Sequence, residues 1–157
     1  ANDAKTAVTA DRLYLTPYRL QCHGYVKSIG CTLGSGGGTK LRMGLYAVNV
    51  NGTVGALLAE TANLTPGAGD KIGSITPMLL PSGWYYTAFV CDGTPSASMR
   101  NIGSITPGPL GASMGGFLCE NTYTYKSIAG WSALPTTPDS LSVASMAGSP
   151  RVYLEAV

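Results

Sequence analysis

The stretch Trp84-Tyr85-Tyr86-Thr87-Ala88-Phe89-Val90-Cys91 decides the fold. In an extended chain, side chains alternate between two faces. Trp84, Tyr86, Ala88 and Val90 then share one face, and Tyr85, Thr87, Phe89 and Cys91 the other. Both faces are largely apolar, so the run reads as a central strand buried on both sides. Leu80-Pro81-Ser82-Gly83 before it and Asp92-Gly93-Thr94-Pro95 after it are turn sequences.

Similar runs extend outward from this one. Residues 40–50 alternate cleanly, with Leu41, Met43, Leu45 and Ala47 on one face. Asn51-Gly52 then signals a hairpin, and residues 54–61 bring the chain back. Residues 24–33 place Tyr25, Ile29, Cys31 and Leu33 on one parity, interrupted by Lys27, and Gly34-Ser35-Gly36-Gly37-Gly38 reads as a flexible loop. Residues 11–20 form the first strand, where Pro17 calls for an edge or a bend. Pro66-Gly67 and Gly69-Asp70 read as a turn before a short strand at 71–76. Ile75-Thr76-Pro77 and its echo Ile105-Thr106-Pro107 read as strand ends, because proline cannot continue a ladder. In the last third, strands are expected at 98–105, 117–119, 122–128, 140–144 and 152–157, with a long loop at 129–139. Helical periodicity is absent. About 8–10 short strands separated by turns predict an all-β, antiparallel, jelly-roll-like sandwich. Residues 1–10 are expected as an N-terminal arm and 11–157 as a single domain.

Composition narrows the function. Of 157 residues only 11% are charged, against roughly 25% in an average soluble domain. Three Glu are far too few for a coiled coil. A net charge of +2 from ten scattered cations offers no basic face for phosphates, so nucleic acid is not expected as a partner. No apolar run approaches the roughly 18 residues of a helical membrane span, so membrane insertion is not expected either. No signal peptide is visible at Ala1-Asn2-Asp3-Ala4-Lys5. Ser, Thr, Gly, Asn and Tyr must cover the surface, which suits contact by shape and hydrogen bonding.

The candidate chemistry is thin. Gly111-Ala112-Ser113-Met114-Gly115 matches a nucleophile elbow, but no helical pattern follows, and His23 lies upstream rather than downstream. Residues 34–40 lack the order of a phosphate loop and lead into a strand, not a helix. His23 beside Cys22 has no second histidine or acidic cluster near it, so no metal or other cofactor is expected. The eight acids show no spacing that pairs two of them for glycoside cleavage, so no enzyme is expected. Cys22, Cys31, Cys91 and Cys119 permit two disulfides. Cys31 and Cys91 sit in apolar runs and read as buried free thiols, while a Cys22–Cys31 bridge across a hairpin stays open. The sequons at Asn51 and Asn63 read as turn-forming asparagines. Tyr123, Tyr125 and Trp131, with Glu120 and Asn121 just before them, form a candidate glycan site of aromatic faces plus an amide and a carboxylate. The competing reading is that Trp131 plugs the core.

A family resemblance adds to this. Asp11-Arg12-Leu13-Tyr14-Leu15-Thr16-Pro17-Tyr18, Arg42-Met43-Gly44-Leu45-Tyr46, Gly55-Ala56-Leu57-Leu58-Ala59-Glu60 and Leu80-Pro81-Ser82-Gly83-Trp84-Tyr85-Tyr86-Thr87-Ala88 occur in this order. Together they resemble small β modules of tailed-phage and prophage virion proteins. Val54-Gly55 stands where such modules usually carry Pro-Gly, and the resemblance covers residues 11–91. It implies a jelly-roll-like module on the virion surface, assembled in the host cytoplasm, in a tail fibre, a head spike or a decoration protein. It also implies a homo-oligomer, often a trimer, in contact with other virion proteins. The expected function is a host-attachment module meeting cell-surface polysaccharide. The alternative is a cement protein that stabilises the particle.

Overall fold

A computed structural model of the chain describes residues 5–50, 52–101, 123–136, 144–146 and 148–157. The described strands are β1 (Lys5–Ala7), β2 (Arg12–Leu20), β3 (Gly24–Leu33), β4 (Leu41–Val48), β5 (Val54–Glu60), β6 (Gly69–Leu80), β7 (Gly83–Cys91), β8 (Ser96–Asn101), β9 (Tyr123–Ser127), β10 (Ala144–Met146), β11 (Gly148–Pro150) and β12 (Val152–Ala156). No helix occurs among the described residues. The expected strands at 117–119 and most of 140–144, and the serine motif at 111–115, lie outside them.

The first eight strands pair in nested fashion. β4 pairs with β5, β3 with β6, β2 with β7 and β1 with β8, all antiparallel. Successive pairs alternate between two sheets. One sheet runs β1-β8-β3 with β6 beside β3, and the other runs β2-β7-β4-β5. This is a jelly roll, an antiparallel β-sandwich as the alternation predicts. The last third adds to both sheets. β9 and β10 extend the second sheet beyond β2, while β11 pairs with β8 and β12 with β3. β8 touches the β3 ladder only through Ala97 opposite Leu33, and β12 occupies the rest of that edge.

The deciding stretch lies where its pattern demands. β7 is flanked by β2 and β4. Its Tyr85, Phe89 and Cys91 join the core between the sheets, along with Tyr14, Ile29, Cys31, Leu33, Leu41, Met43 and Leu45. Its Tyr86, Ala88 and Val90 face the other way, into a second core with Leu13, Leu15, Tyr46, Trp131 and Leu134. A strap, residues 128–136, closes this second core over the outer face of the sheet. Backbone and side-chain bonds fasten the strap at both ends. Ile128 N donates to Asp11 O (2.7 Å), Leu57 N to Thr136 O (3.0 Å), Leu134 N to Glu60 Oε2 (3.0 Å) and Tyr46 Oη to Pro135 O (2.7 Å). At Gly44 the strap comes close to β4. A Cβ there would stand 2.3 Å from Leu134 Cδ1 and 3.0 Å from Ala59 O.

Both bounds of the strand expected at 71–76 change. β6 does not stop at Pro77 but runs to Leu80, and it begins at Gly69, where a turn was expected. The register of β3 against β6 shifts between Val26 and Ser28, and β6 pairs only with β3 among the described strands. An irregular edge strand tolerates a residue with no N–H to donate. Pro17 lies inside β2, opposite Tyr86, but beyond the Arg12–Leu15 stretch that pairs with β9, so one side of it carries no ladder among the described strands. Residues 5–7, expected within an arm, pair with β8, and the neighbouring Val8 is buried.

Candidate functional site

Of the five residues expected to form a glycan site, the described structure places three, in β9 and in the strap. Glu120 and Asn121 lie outside the described residues. Tyr123 and Tyr125 sit in β9, with Tyr125 in register between Tyr14 and Ala144. Trp131 is 5% exposed and belongs to the strap. Its Nε1 donates to Asp11 Oδ1 at 3.0 Å, and Lys40 Nζ stands 4.4 Å from the ring centroid. A ring so covered offers no face to a sugar, so Trp131 leaves the glycan set and acts as a plug that holds the strap down.

Two other features meet the surface. The first is the outer face of the β3–β6 pair. Tyr25 is 57% exposed and lies directly opposite exposed Leu79, with exposed Ile72 further along β6. The second is a slot of about 270 Å³ lined by Thr16, Tyr18, Thr87, Arg151, Val152 and Tyr153. Thr16 and Thr87 are cross-strand partners on β2 and β7, with the same parity as core residues Tyr14, Tyr85 and Phe89. Both threonines therefore face the space between the sheets. They are 5% and 2% exposed, and Thr87 Oγ1 donates to the Thr16 carbonyl at 3.4 Å. The start of β12 forms the opposite wall, with Val152 buried.

Asp92, Cys31 and Cys91 are tied into the fold. Asp92 accepts bonds from Thr39 N (2.7 Å), Lys40 N (3.0 Å) and the Thr39 hydroxyl. Desolvation raises its pKa, but these bonds and the Lys40 charge outweigh that and hold the carboxyl below its ordinary range. Cys22, Cys31 and Cys91 are all free thiols, which closes the Cys22–Cys31 alternative. Burial, with Cys91 as a neighbour, pushes the Cys31 thiol up to about 12 and keeps it protonated and inert. No group of three His, Cys, Asp or Glu able to hold a metal occurs among the described residues. No helix of the described residues is long and apolar enough to cross a membrane.

The sequence alone did not expose the slot. Thr16 and Thr87 read there as ordinary strand residues. The one available signal was a hydroxyl at an inward parity on each of two strands that the fold later paired. No family model matches the chain, and no curated protein was found to match it.

Proposed function

We propose that the chain is a non-enzymatic structural module of a phage or phage-like particle, displayed on the virion surface as a host-attachment module of a fibre or spike. It would work as a homo-oligomer, a trimer in this reading, held among other virion proteins, and meet cell-surface polysaccharide without a cofactor. The observation that supports this best is the nested eight-strand jelly roll. That architecture recurs in viral capsid and lectin domains. Fold alone does not select a function. The low charge and the ordered motifs of residues 11–91 add the direction. The test is adsorption. Purified chain is expected to compete with intact particles for host cells, and an antibody against it to label a fibre or spike by electron microscopy. Failure to compete, together with no label on particles, would remove this reading.

A second reading rests on the exposed Tyr25, Leu79 and Ile72. An apolar outer sheet face suits packing against a neighbouring subunit, as a decoration or cement protein requires. Under this reading the chain binds particles that lack it and raises their thermal resistance, while ignoring host cells.

A further inference from the structure

We infer that the outer face of the β12–β3–β6 sheet is the saccharide platform of the module, with Tyr25 and Tyr153 as its rings and Glu155 and Asp70 as its acceptors. This rests on the attachment reading above and moves the contact from the cluster of the last third to the other sheet.

Parity sets which side chains meet there. Ile29, Cys31 and Leu33 of β3 point into the core, so Ser28, Gly30 and Thr32 point outward. Their partners complete rows across the sheet: Tyr153, Gly30 and Ile72 in one, and Glu155, Ser28 and Ser74 in the next. Past the register shift, Tyr25 opposite Leu79 makes a third. Tyr25 is the most exposed aromatic ring of this face, and Ile72 and Leu79 are half-exposed. The tip of the Tyr153 ring crosses the middle strand at Gly30, where a Cβ would stand 2.5 Å from its Cε2 and Cζ. Burial, then the charges of Asp70, Cys31 and Glu155, raise this phenol above its ordinary value, which fits carboxylates on both sides of it.

Each carboxylate is aimed by a neighbouring hydroxyl. Ser28 Oγ donates to Glu155 Oε2 at 2.5 Å, and Thr32 Oγ1 donates to Asp70 Oδ1 at 2.6 Å. Lys27 Nζ stands 3.9 Å from Glu155 Oε1. These contacts orient the acids without filling them, because an ionised carboxylate has about four acceptor positions and both residues are exposed. Rings for the C–H faces of a ligand and a few fixed acceptors for its hydroxyls suit a saccharide. A second copy of the chain is the competing occupant, but it would have to cover two carboxylates, which is costly unless each gains a close partner. Gly30 lies five residues after Tyr25, a span of up to about 16 Å in a strand. The ligand is therefore an oligosaccharide rather than a single sugar, and the two acids favour a neutral one over an anionic one.

The experiment uses the whole chain with cellotetraose, maltotetraose and the tetramer of N-acetylglucosamine as probes, followed by amide shifts in two-dimensional NMR. At least one probe is expected to shift the amides of Tyr25, Ser28 and Tyr153 saturably. Tyr25→Ala and Glu155→Gln alter exposed side chains and are each expected to weaken that binding about tenfold, while Tyr25→Phe keeps it. The inference is overturned if no probe shifts these amides up to its solubility, or if Tyr25→Ala binds as wild type does. It is equally overturned if sedimentation finds wild type associated and Tyr25→Ala monomeric, which assigns the face to a second copy. The adsorption assay separates this from the attachment reading. A Tyr25→Ala chain that has lost sugar binding yet still blocks particles from cells overturns the face as the recognition site and leaves attachment standing.

Discussion

At the scale of single residues, small contacts decide large outcomes. Gly44 sits in β4 beneath Leu134 of the strap. A side chain there must push the backbone oxygen of Ala59 as well as a leucine methyl. Gly44→Val is therefore expected to lower stability by about 1–3 kcal/mol, the usual cost of overpacking, read as a shift in the urea midpoint. Asp92 gives a pH signature. Its folded pKa is depressed, so its contribution is present above the unfolded value, near 3.8, and is lost as pH falls through the lower folded value. Wild type should lose stability more steeply than Asp92→Asn, which cannot titrate, as pH falls below about 4. Urea titrations of both proteins at several pH values in that range check this.

At the scale of elements, the strap explains why β7 is apolar on both sides. One face meets the facing sheet, and the other meets residues 128–136. Trp131 is the strap's anchor, through Asp11, Lys40 and the second core. Asp11 itself takes a left-handed backbone with φ 54°, a conformation that Asp tolerates better than most residues. Trp131→Ala is expected to cost about 3–5 kcal/mol and to raise hydrogen exchange in β5 and β2 before β3, as seen in amide exchange by NMR. β4 and β7 were legible in the sequence because alternation and turn residues agree there. The strap was legible as a loop, with Trp131 as a core plug in one reading, but its path was not. Its cover over the second core depends on contacts with Tyr46, Leu57 and Glu60, far away in the chain. The extension of β6 through Pro77 was hidden for a similar reason, since a register shift against β3 is a property of the pair and not of either strand. The slot was equally hidden, because a threonine shows its environment only once its partner strand is known.

At the scale of the whole molecule, the nested pairing forces long-range closure. The β1–β8 ladder joins Lys5 to Ser98, and β12 joins Leu154 to Ile29. Loop-closure entropy must be met before such contacts form, so folding should be slow for the chain's size, in milliseconds to seconds or beyond. Among the described pairs, β4–β5, joined by a short turn, closes the smallest loop and can form early. Stopped-flow refolding that is complete within microseconds would contradict this.

The glycine-rich loop at 34–38 leads into Thr39 and Lys40, which are tied to Asp92. The backbone of Gly93 presses so closely on Gly37 and Gly38 that a Cβ at residue 93 would stand 2.3 Å from Gly38 N. The clasp matters for resistance to proteases. By composition this is the segment most open to nicking, yet a protease needs an extended, free backbone to bind, and here both the backbone and the Lys40 side chain are engaged. Trypsin should therefore spare the bond after Lys40 in the native protein and cut there early in Asp92→Ala. Mass spectrometry of a timed digest would show which order holds.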